Sequence, residues 1–277
     1  MDILSLGYSP CPNDTFIFTA WMEGKLEGAP PVKVQLEDIA TLNQLALQGR
    51  LDIIKVSFHA FGHIRDDYCL LHSGGALGRG CGPLVVAREA WSPEELKDKR
   101  IAIPGKLTTA ALLLRLFQPE LNDICVMPFN QIMPATRDGT VDAGLIIHES
   151  RFTYPAYGLH QIVDLGEWWE SETGHAIPLG GVVMRRDLGR RAIEQADAAL
   201  ATSVEYAHAH PENVWSTVRR YAQEMEDEVM RQHIALYVNA FTSDYGTEGE
   251  SAIRYLMETA QQLGVVPKNT QSLFVDR

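Results

Sequence analysis

The chain has 277 residues, of which 45% are hydrophobic and 22% are charged, and its formal net charge is −12. This length and composition are typical of a globular protein with one large or two medium domains. The negative charge argues against nucleic acid or an anionic membrane surface as a partner, although backbone N–H groups or a locally positive site can still bind a small anion.

Cysteine usage and the first residues indicate the compartment. The cysteines are scattered without a C-x-x-C pair, so we interpret Cys11, Cys69, Cys81 and Cys125 as reduced thiols. The start, MDILSLGYSP, lacks a basic stretch followed by a long apolar run. No window reaches the roughly 18 apolar residues of a membrane span. We therefore expect a cytoplasmic protein without a membrane partner.

Short apolar runs alternate with helical patterns in the first two thirds of the chain, which is typical of βαβ units and a largely parallel sheet. The predicted strands are 3–8, 32–37, 51–56, 69–73, 83–88, 100–105, 124–128, 142–147, 161–166 and 179–185. The predicted helices between them are 14–23, 41–49, 92–97, 108–117, 130–137 and 149–156. The remainder is helical, with segments near 188–208, 211–223, 226–241 and 247–263.

Two segments repeat one pattern. ALQGRLDIIKVS and ATRDGTVDAGLII each combine a helix end, a glycine, a branched residue, an aspartate and an apolar strand. Gly49 matches Gly139, and Asp52 matches Asp142 at the same spacing. A chance match of so short a pattern is the alternative, but the repeat favours two similar α/β lobes.

Two segments can connect these lobes. The Gly-rich run GGALGRGCGP leads out of the first lobe, and IPLGGVVMRR can form the return path. The first lobe then comprises residues 1–83 plus 185–277, and the second comprises 84–184. Such a two-stranded hinge places a ligand in the cleft between lobes. The alternative is one continuous sheet with a helical C-terminal domain.

Polar residues follow several predicted strands, at the edge where open α/β sheets bind ligands. In SPCPNDTFIF, Asn13 or Asp14 can cap the following helix. Lys55 of the KVS segment lies in an apolar run, where a buried ammonium is costly without a partner. Ser57 can cap a short helix that begins after it. The alternative for Lys55 is a side chain that extends to solvent at the sheet edge.

PGKLTTAALLL predicts a comparable site in the second lobe. Thr108 and Thr109 open an apolar helix whose N–H groups and hydroxyls can bind an anion, although ordinary capping by threonine explains the same pattern. Lys106 is expected to be solvated. The spacing of a phosphate-binding G-x-x-x-x-G-K-[ST] loop is absent.

His148 is the candidate catalytic base. It directly follows the strand predicted at 142–147, and an ordinary histidine pKa of about 6.5 allows it to accept a proton near neutral pH. Glu149, Ser150 and Arg151 are then expected in the first turn of the next helix. The alternative is a structural histidine at a strand end.

Two other features give weaker signals. His59 and His63 lie four residues apart, but no third ligand follows at a diagnostic spacing, so we predict no metal site. Trp168 and Trp169 in LGEWWESETG either pack within the protein or form the aromatic wall of a pocket.

The motifs SPCPNDTFIF, KVS, GKLTTA, IIHESRFTY, LGEWWESETG and IPLGGVVMRR occur in this order over most of the chain. In this combination the sequence resembles the 1,4-dihydroxy-6-naphthoate synthase family of the futalosine route of menaquinone biosynthesis, most weakly in the C-terminal helices. The resemblance implies a two-lobe α/β fold like that of type II periplasmic binding proteins. It also implies a carbon–carbon lyase that converts cyclic dehypoxanthine futalosine to 1,4-dihydroxy-6-naphthoate without a metal or another cofactor.

The same resemblance implies the site residues. His148 is the implied proton acceptor. The implied contacts with a small anionic substrate are Lys55, Val56, Ser57, Thr108 and Thr109.

Two other functions are kept open. One is the related enzyme of the same pathway that dehydrates chorismate, and the other is a non-catalytic solute-binding protein for a small carboxylate. The SPCPND and HESRFTY blocks favour the synthase. A homodimer is also left open, since the apolar C-terminal helices can pack on the first lobe or on a second subunit.

Overall fold

The computed structural model describes residues 3–222 and 226–275, and the chain divides into two compact units. The first unit combines Met1–Gly78 with Pro178–Arg277, and the second is Arg79–Ile177. The boundaries predicted from the sequence lie a few residues further along the chain at both division points. The ends of the predicted first lobe, and residue 223 of a predicted helix, lie outside the described residues.

The strands are, in chain order, β1 (Leu4–Tyr8), β2 (Val32–Leu36), β3 (Ile53–Ser57), β4 (Tyr68–Leu70), β5 (Ala76–Gly78), β6 (Leu84–Ala87), β7 (Ile101–Ile103), β8 (Ile124–Val126), β9 (Ala143–Ile146), β10 (His160–Asp164) and β11 (Ile177–Arg185). The α-helices are α1 (Pro12–Met22), α2 (Ile39–Leu47), α3 (Phe58–His63), α4 (Thr109–Phe117), α5 (Phe129–Arg137), α6 (Ser150–Thr153), α7 (Leu165–Thr173), α8 (Arg190–Ala209), α9 (Pro211–Tyr221), α10 (Asp227–Tyr237), α11 (Ala240–Ser243) and α12 (Gly246–Gln262). Short 3₁₀ turns cover Pro93–Asp98, Tyr154–Tyr157 and Arg186–Leu188.

Each unit is built on its own mixed sheet. The first sheet has the order β2-β1-β3-β11-β4, with β5 paired to β11, and the second has the order β10-β6-β9-β7-β8. β1 is parallel to β2 and β3, and β7 is parallel to β8 and β9. β11 is antiparallel to β3 and β4, and β6 is antiparallel to β9 and β10.

These sheets correct two expectations. The alternative of one continuous sheet is wrong, because the strands form two sheets. The expectation of a largely parallel sheet is also wrong. β6 and β11 come where the chain passes from one unit to the other, so no crossover helix within their own sheet precedes them and no parallel pairing is imposed.

The two sheets share one topology. The segments β1-α1-β2-α2-β3 and β7-α4-β8-α5-β9 each place their first strand in the middle, and each is continued by an antiparallel strand beside the third. This agrees with the sequence repeat. Its glycines both have positive φ, +63° at Gly49 and +75° at Gly139, which is the backbone region that favours glycine.

The repeated aspartates have the same role in both units. Asp52 Oδ2 accepts hydrogen bonds from Ser5 N at 2.8 Å and from Ser5 Oγ at 2.7 Å. Asp142 Oδ2 accepts one from Arg100 N at 2.8 Å. Each carboxylate therefore joins the third strand of the repeat to the start of the neighbouring parallel strand.

The C-terminal helices pack on the first unit itself. α1 contacts α8, α9 and α10, and every residue of α1 except Met22 is buried. Ser203 of α8 donates its hydroxyl to Ile17 O at 2.6 Å and accepts from Trp21 N at 3.2 Å. Because α1 is covered on all sides, its sequence PNDTFIFTAWM lacks a polar stripe.

Two elements were missed or misplaced in the sequence analysis. β5 lies inside the Gly-rich run, where composition favours a loop. The predicted strand 161–166 ends at Asp164, whose carboxylate accepts from Gly166 N at 2.8 Å and from Glu167 N at 3.1 Å and so caps α7. In the described part of the chain, no helix has both the length and the apolar composition needed to cross a membrane.

We predict that Asp52→Ala lowers the free energy of unfolding by about 1.5–3 kcal/mol, because Ser5 loses a charged hydrogen-bond acceptor. Asp142→Ala should cost less, since its carboxylate accepts only one such bond in the described residues. Urea denaturation measures both, with the exposed Asp98→Ala as control. An Asp52→Ala protein as stable as the control would contradict the role of this contact.

Candidate active site

Polar residues of the first unit meet at the carboxyl ends of β1 and β3, which are neighbouring parallel strands. Lys55 is 4% exposed, and its Nζ lies 3.2 Å from Asp14 Oδ1 and donates to Gly74 O at 2.5 Å. Asp14 Oδ2 accepts from Ser9 Oγ at 2.7 Å, and Asp14 Oδ1 accepts from Asn13 Nδ2 at 3.0 Å. The buried ammonium therefore has a buried counter-charge that is itself held by hydrogen bonds.

This arrangement corrects the predicted roles of these residues. The N-cap of α1 is Cys11, so neither Asn13 nor Asp14 caps the helix. The Asp14 carboxylate instead turns to Lys55, because an ammonium buried without a counter-charge would be far more costly than an uncapped helix end. The alternative that Lys55 extends to solvent is wrong for the same reason.

Ser57 is held by a residue that the sequence analysis missed. Ser57 N donates to Asn43 Oδ1 at 3.0 Å, and Asn43 Nδ2 donates to Ser57 Oγ at 3.1 Å. Ser57 makes no side-chain cap bond to α3, so the predicted capping role is wrong. Because its oxygen accepts from Asn43, the hydroxyl proton points elsewhere, and no acceptor for it is found among the described residues. The available signal was an asparagine inside the apolar helical segment ATLNQLAL, where this residue has low helix propensity.

Gly180 keeps the backbone beside Ser57 accessible. It pairs with Ser57 across β11 and β3, and a Cβ at this position would lie 3.0 Å from Val56 O. The Val56 side chain is fully buried. Any contact between Val56 and a ligand would therefore come from its main chain.

In the second unit, α4 begins at the carboxyl end of β7. Thr108 is its N-cap, and the Thr108 hydroxyl accepts from Ala111 N at 3.1 Å, which confirms the predicted capping. The same hydroxyl donates to Gly105 O at 2.9 Å. Thr108 and Thr109 are 2% and 3% exposed, whereas Lys106 is exposed as expected. The first turn of α4 thus combines ordered hydroxyls with the positive end of a helix dipole.

His148 follows β9 with a left-handed backbone, at φ +56°. Among the residues that the structure describes, it is the only non-glycine residue with positive φ. Such a conformation costs of order 1 kcal/mol or more, and residues of this kind cluster at functional sites. The backbone geometry therefore marks His148 independently of its chemistry.

The imidazole of His148 packs on an aromatic ring. Its centroid lies 5.6 Å from that of Phe129, and the two planes are 83° apart, in an edge-to-face arrangement. Phe129 is the first residue of α5, after β8. Since β7, β8 and β9 are parallel, the starts of α4 and α5 and the residue after β9 share one edge of the sheet. The sequence analysis missed Phe129, although an aromatic residue directly after a strand was a usable signal.

The turn after His148 is fixed to the rest of the second unit. Arg151 donates to Gly82 O at 2.7 Å and to Asp164 Oδ2 at 2.6 Å, and Asp164 also caps α7. Glu149 is the N-cap of α6, so the expected first turn begins one residue later than predicted. Arg151 is therefore an anchor that holds the segment carrying His148.

The remaining polar groups do not supply an alternative chemistry. Burial raises the pKa of the Cys81 thiol to about 12, with the nearby Glu170 adding to the effect, so this thiol stays neutral and a poor nucleophile at pH 7. In residues 3–222 and 226–275, no group of three or more His, Cys, Asp or Glu is placed to hold a metal ion. The rings of His59 and His63 lie 5.6 Å apart.

The tryptophans pack inside the second unit. Trp169 is 1% exposed and donates to Ala176 O at 3.3 Å. Trp168 packs edge-on against Phe117 of α4 at 5.3 Å between centroids. The packing interpretation of this pair is therefore confirmed.

The fold is that of the periplasmic binding proteins, as the sequence predicted. The alkanesulfonate-binding protein SsuA of Xanthomonas axonopodis pv. citri, bound to MOPS, is similar with a TM-score of 0.72 and 14% identity, over 97% of this chain and 95% of that chain. The ligand-binding component of an ABC-type import system from Staphylococcus aureus has a TM-score of 0.70 and 13% identity, over 100% and 97% of the two chains. Likeness at these identities shows the fold alone.

Closer relatives show the family. A family model described as menaquinone biosynthesis matches residues 4–262. A Thermus thermophilus protein named 1,4-dihydroxy-6-naphthoate synthase is 50% identical over 99% of this chain and 100% of its own length. A Streptomyces coelicolor protein of the same name is 49% identical, over 96% and 95%. The chain therefore belongs to the menaquinone biosynthesis family and is an enzyme, which confirms the resemblance found from the motifs.

We predict that Asp14→Asn and Lys55→Met each lower the free energy of unfolding by about 3–5 kcal/mol, because each leaves a buried charge without its partner. The double variant should cost less than the sum of the two. Thermal and urea denaturation of the four proteins measure this coupling.

The exposed pair Arg190–Glu194 provides the matched control, and Arg190→Met should cost no more than about 1 kcal/mol. Additive losses in the Asp14 and Lys55 cycle would show that the two residues are not coupled in the folded protein.

Proposed function

We propose that this enzyme is a 1,4-dihydroxy-6-naphthoate synthase, a carbon–carbon lyase that converts cyclic dehypoxanthine futalosine to 1,4-dihydroxy-6-naphthoate. The near full-length identity with two relatives of that name supports the reaction. In this proposal His148 is the proton acceptor. The substrate-binding residues are Lys55, Val56, Ser57, Thr108 and Thr109.

The single observation that carries the assignment of the base is the left-handed backbone of His148 at the end of β9. Strain of this kind persists only where the surrounding structure imposes it. Here the Arg151 anchor holds the following turn, and the Phe129 ring restricts rotation of the imidazole. A base whose ring is already oriented loses little conformational entropy when the substrate binds.

The proposed binding residues suit an anionic substrate although the whole chain is acidic. Lys55 Nζ has three N–H donors, and the printed sequence gives no other lysine or arginine in β3. Its bonds to Gly74 O and Asp14 use two donors in the described residues, so a third is available to a carboxylate. Ser57 offers its hydroxyl proton, and the first turn of α4 offers N–H groups.

The proposed chemistry is proton removal followed by bond cleavage. Neutral imidazole takes a proton from a carbon activated by a neighbouring carbonyl, and the electron pair left behind allows the carbon–carbon bond to the sugar-derived fragment to break. Formation of the aromatic naphthoate ring supplies the driving force. A positioned base typically contributes about 10²–10⁴-fold to such a step. No change of redox state occurs, so no redox cofactor is invoked.

A cytoplasmic location and a homodimer stay predictions from the sequence.

The reaction is tested directly by incubating the purified chain with cyclic dehypoxanthine futalosine and following the naphthoate product by liquid chromatography and mass spectrometry. A parallel incubation with chorismate tests the dehydratase. Turnover of chorismate alone, or tight binding of the first compound with full recovery of it unchanged, would overturn the proposed reaction.

We predict that His148→Asn lowers kcat by about 10²–10⁴-fold, because asparagine cannot act as the base. Asparagine tolerates the left-handed region, so the variant should keep a Tm close to that of the original chain. His160→Asn, at an exposed position of β10 in the same unit, is the matched control and should keep full activity. If His148→Asn turns over substrate at the rate of this control, His148 is not the proton acceptor.

A further inference from the structure

A fully buried histidine of the first unit is connected to the Lys55 site. His233 lies on α10, is 0% exposed, and its Nε2 lies 2.9 Å from Asn13 Oδ1. Asn13 is in the first turn of α1, against which α10 packs, and is itself 7% exposed. Burying an imidazole so completely is costly unless its polar atoms are bonded, so this contact needs a structural or functional reason.

The chemistry of the partners sets the direction of every bond in this chain of side chains. The Asp14 carboxylate and the Asn13 carbonyl oxygen only accept, and the Lys55 ammonium only donates. Asn13 Nδ2 therefore donates to Asp14 Oδ1 at 3.0 Å, which leaves Asn13 Oδ1 to accept from an N–H on His233 Nε2. The opposite orientation of the amide would place two oxygens against each other at Asp14.

We propose that His233 is a positioning residue for the substrate-binding ammonium of Lys55. Its Nε2–H holds the Asn13 amide in the one orientation that allows Asn13 to donate to Asp14. Asp14, in turn, places the Lys55 Nζ at 3.2 Å. The inference rests on the proposed function, because it takes from it the role of Lys55 in binding substrate.

Loss of the His233 N–H should act on substrate binding more than on the chemical step. Without this donor the Asn13 amide can turn over, the Asn13 oxygen then repels the Asp14 carboxylate, and the Lys55 ammonium is held less firmly. His148, which is the proposed base, belongs to the other unit and is unchanged. We therefore expect His233→Leu to raise KM for cyclic dehypoxanthine futalosine by about tenfold while kcat changes by less than about threefold.

The conservative variant tests the chemistry of the contact. His233→Gln places an amide N–H near the position of the imidazole Nε2–H, so it should restore KM to within about threefold of the original chain. The matched control is Met230→Ala, which opens space at a buried position of the same helix without touching Asn13. It should lower Tm and leave KM unchanged at temperatures where the protein is folded.

A double-variant cycle with Asn13 gives the sharper test. If His233 acts through the amide, adding His233→Leu to Asn13→Ala produces no further rise in KM. Multiplicative effects of the two changes, an unchanged KM in His233→Leu, or an equal rise in KM in Met230→Ala would each overturn the positioning role.

One measurement requires no variant. Nitrogen-15 NMR of the imidazole in the unaltered protein should show a proton on Nε2 of His233, and a ring with its only proton on Nδ1 would overturn the inference even if His233→Leu fails to fold. Failure of the proposed function is separately visible, since the unaltered chain would then show no turnover of cyclic dehypoxanthine futalosine at all.

Discussion

The buried ion pair of Lys55 and Asp14 is the interaction on which the site of the first unit depends. A lysine ammonium that is 4% exposed cannot remain charged without a partner, so Asp14 must face β3 and not the N-terminus of its own helix. Ser9, Asn13 and Gly74 then follow as hydrogen-bond partners of the two charges. The local geometry of α1 and the loop at Gly74 is thus set by one cation.

The two units show how one topology carries different chemistry. Both place a helix start after the first strand of the repeat and a polar residue at the end of the third. In the first unit these positions hold the Asp14–Lys55 pair, and in the second they hold the threonines of α4 and His148. The shared glycine and aspartate of the repeat stabilise the scaffold, while the residues at the strand ends differ. Function therefore lies in the side chains placed on the fold and not in the fold itself.

His148 illustrates a second constraint, because its backbone conformation opposes stability. The left-handed φ is maintained by contacts on both sides, with the Phe129 ring against the imidazole and the Arg151 anchor after it. The segment that follows β9 is therefore ordered by residues that have no direct role in the proposed proton transfer. The abrupt change from an apolar strand to HESR in the sequence is the trace of this requirement.

The sequence by itself determined the features that depend on neighbouring residues. These are most of the strands and helices, the repeat with its glycines at positive φ, the capping by Thr108, the position of His148 at a strand end, and the family. Only the tertiary structure decided which distant groups meet: Asp14 with Lys55, Asn43 with Ser57, Phe129 with His148, and His233 with Asn13. It also decided the antiparallel strands β6 and β11. The reason is physical, since periodicity and capping act within a few residues, whereas the partner of a buried charge or amide is set by packing between segments far apart in the chain.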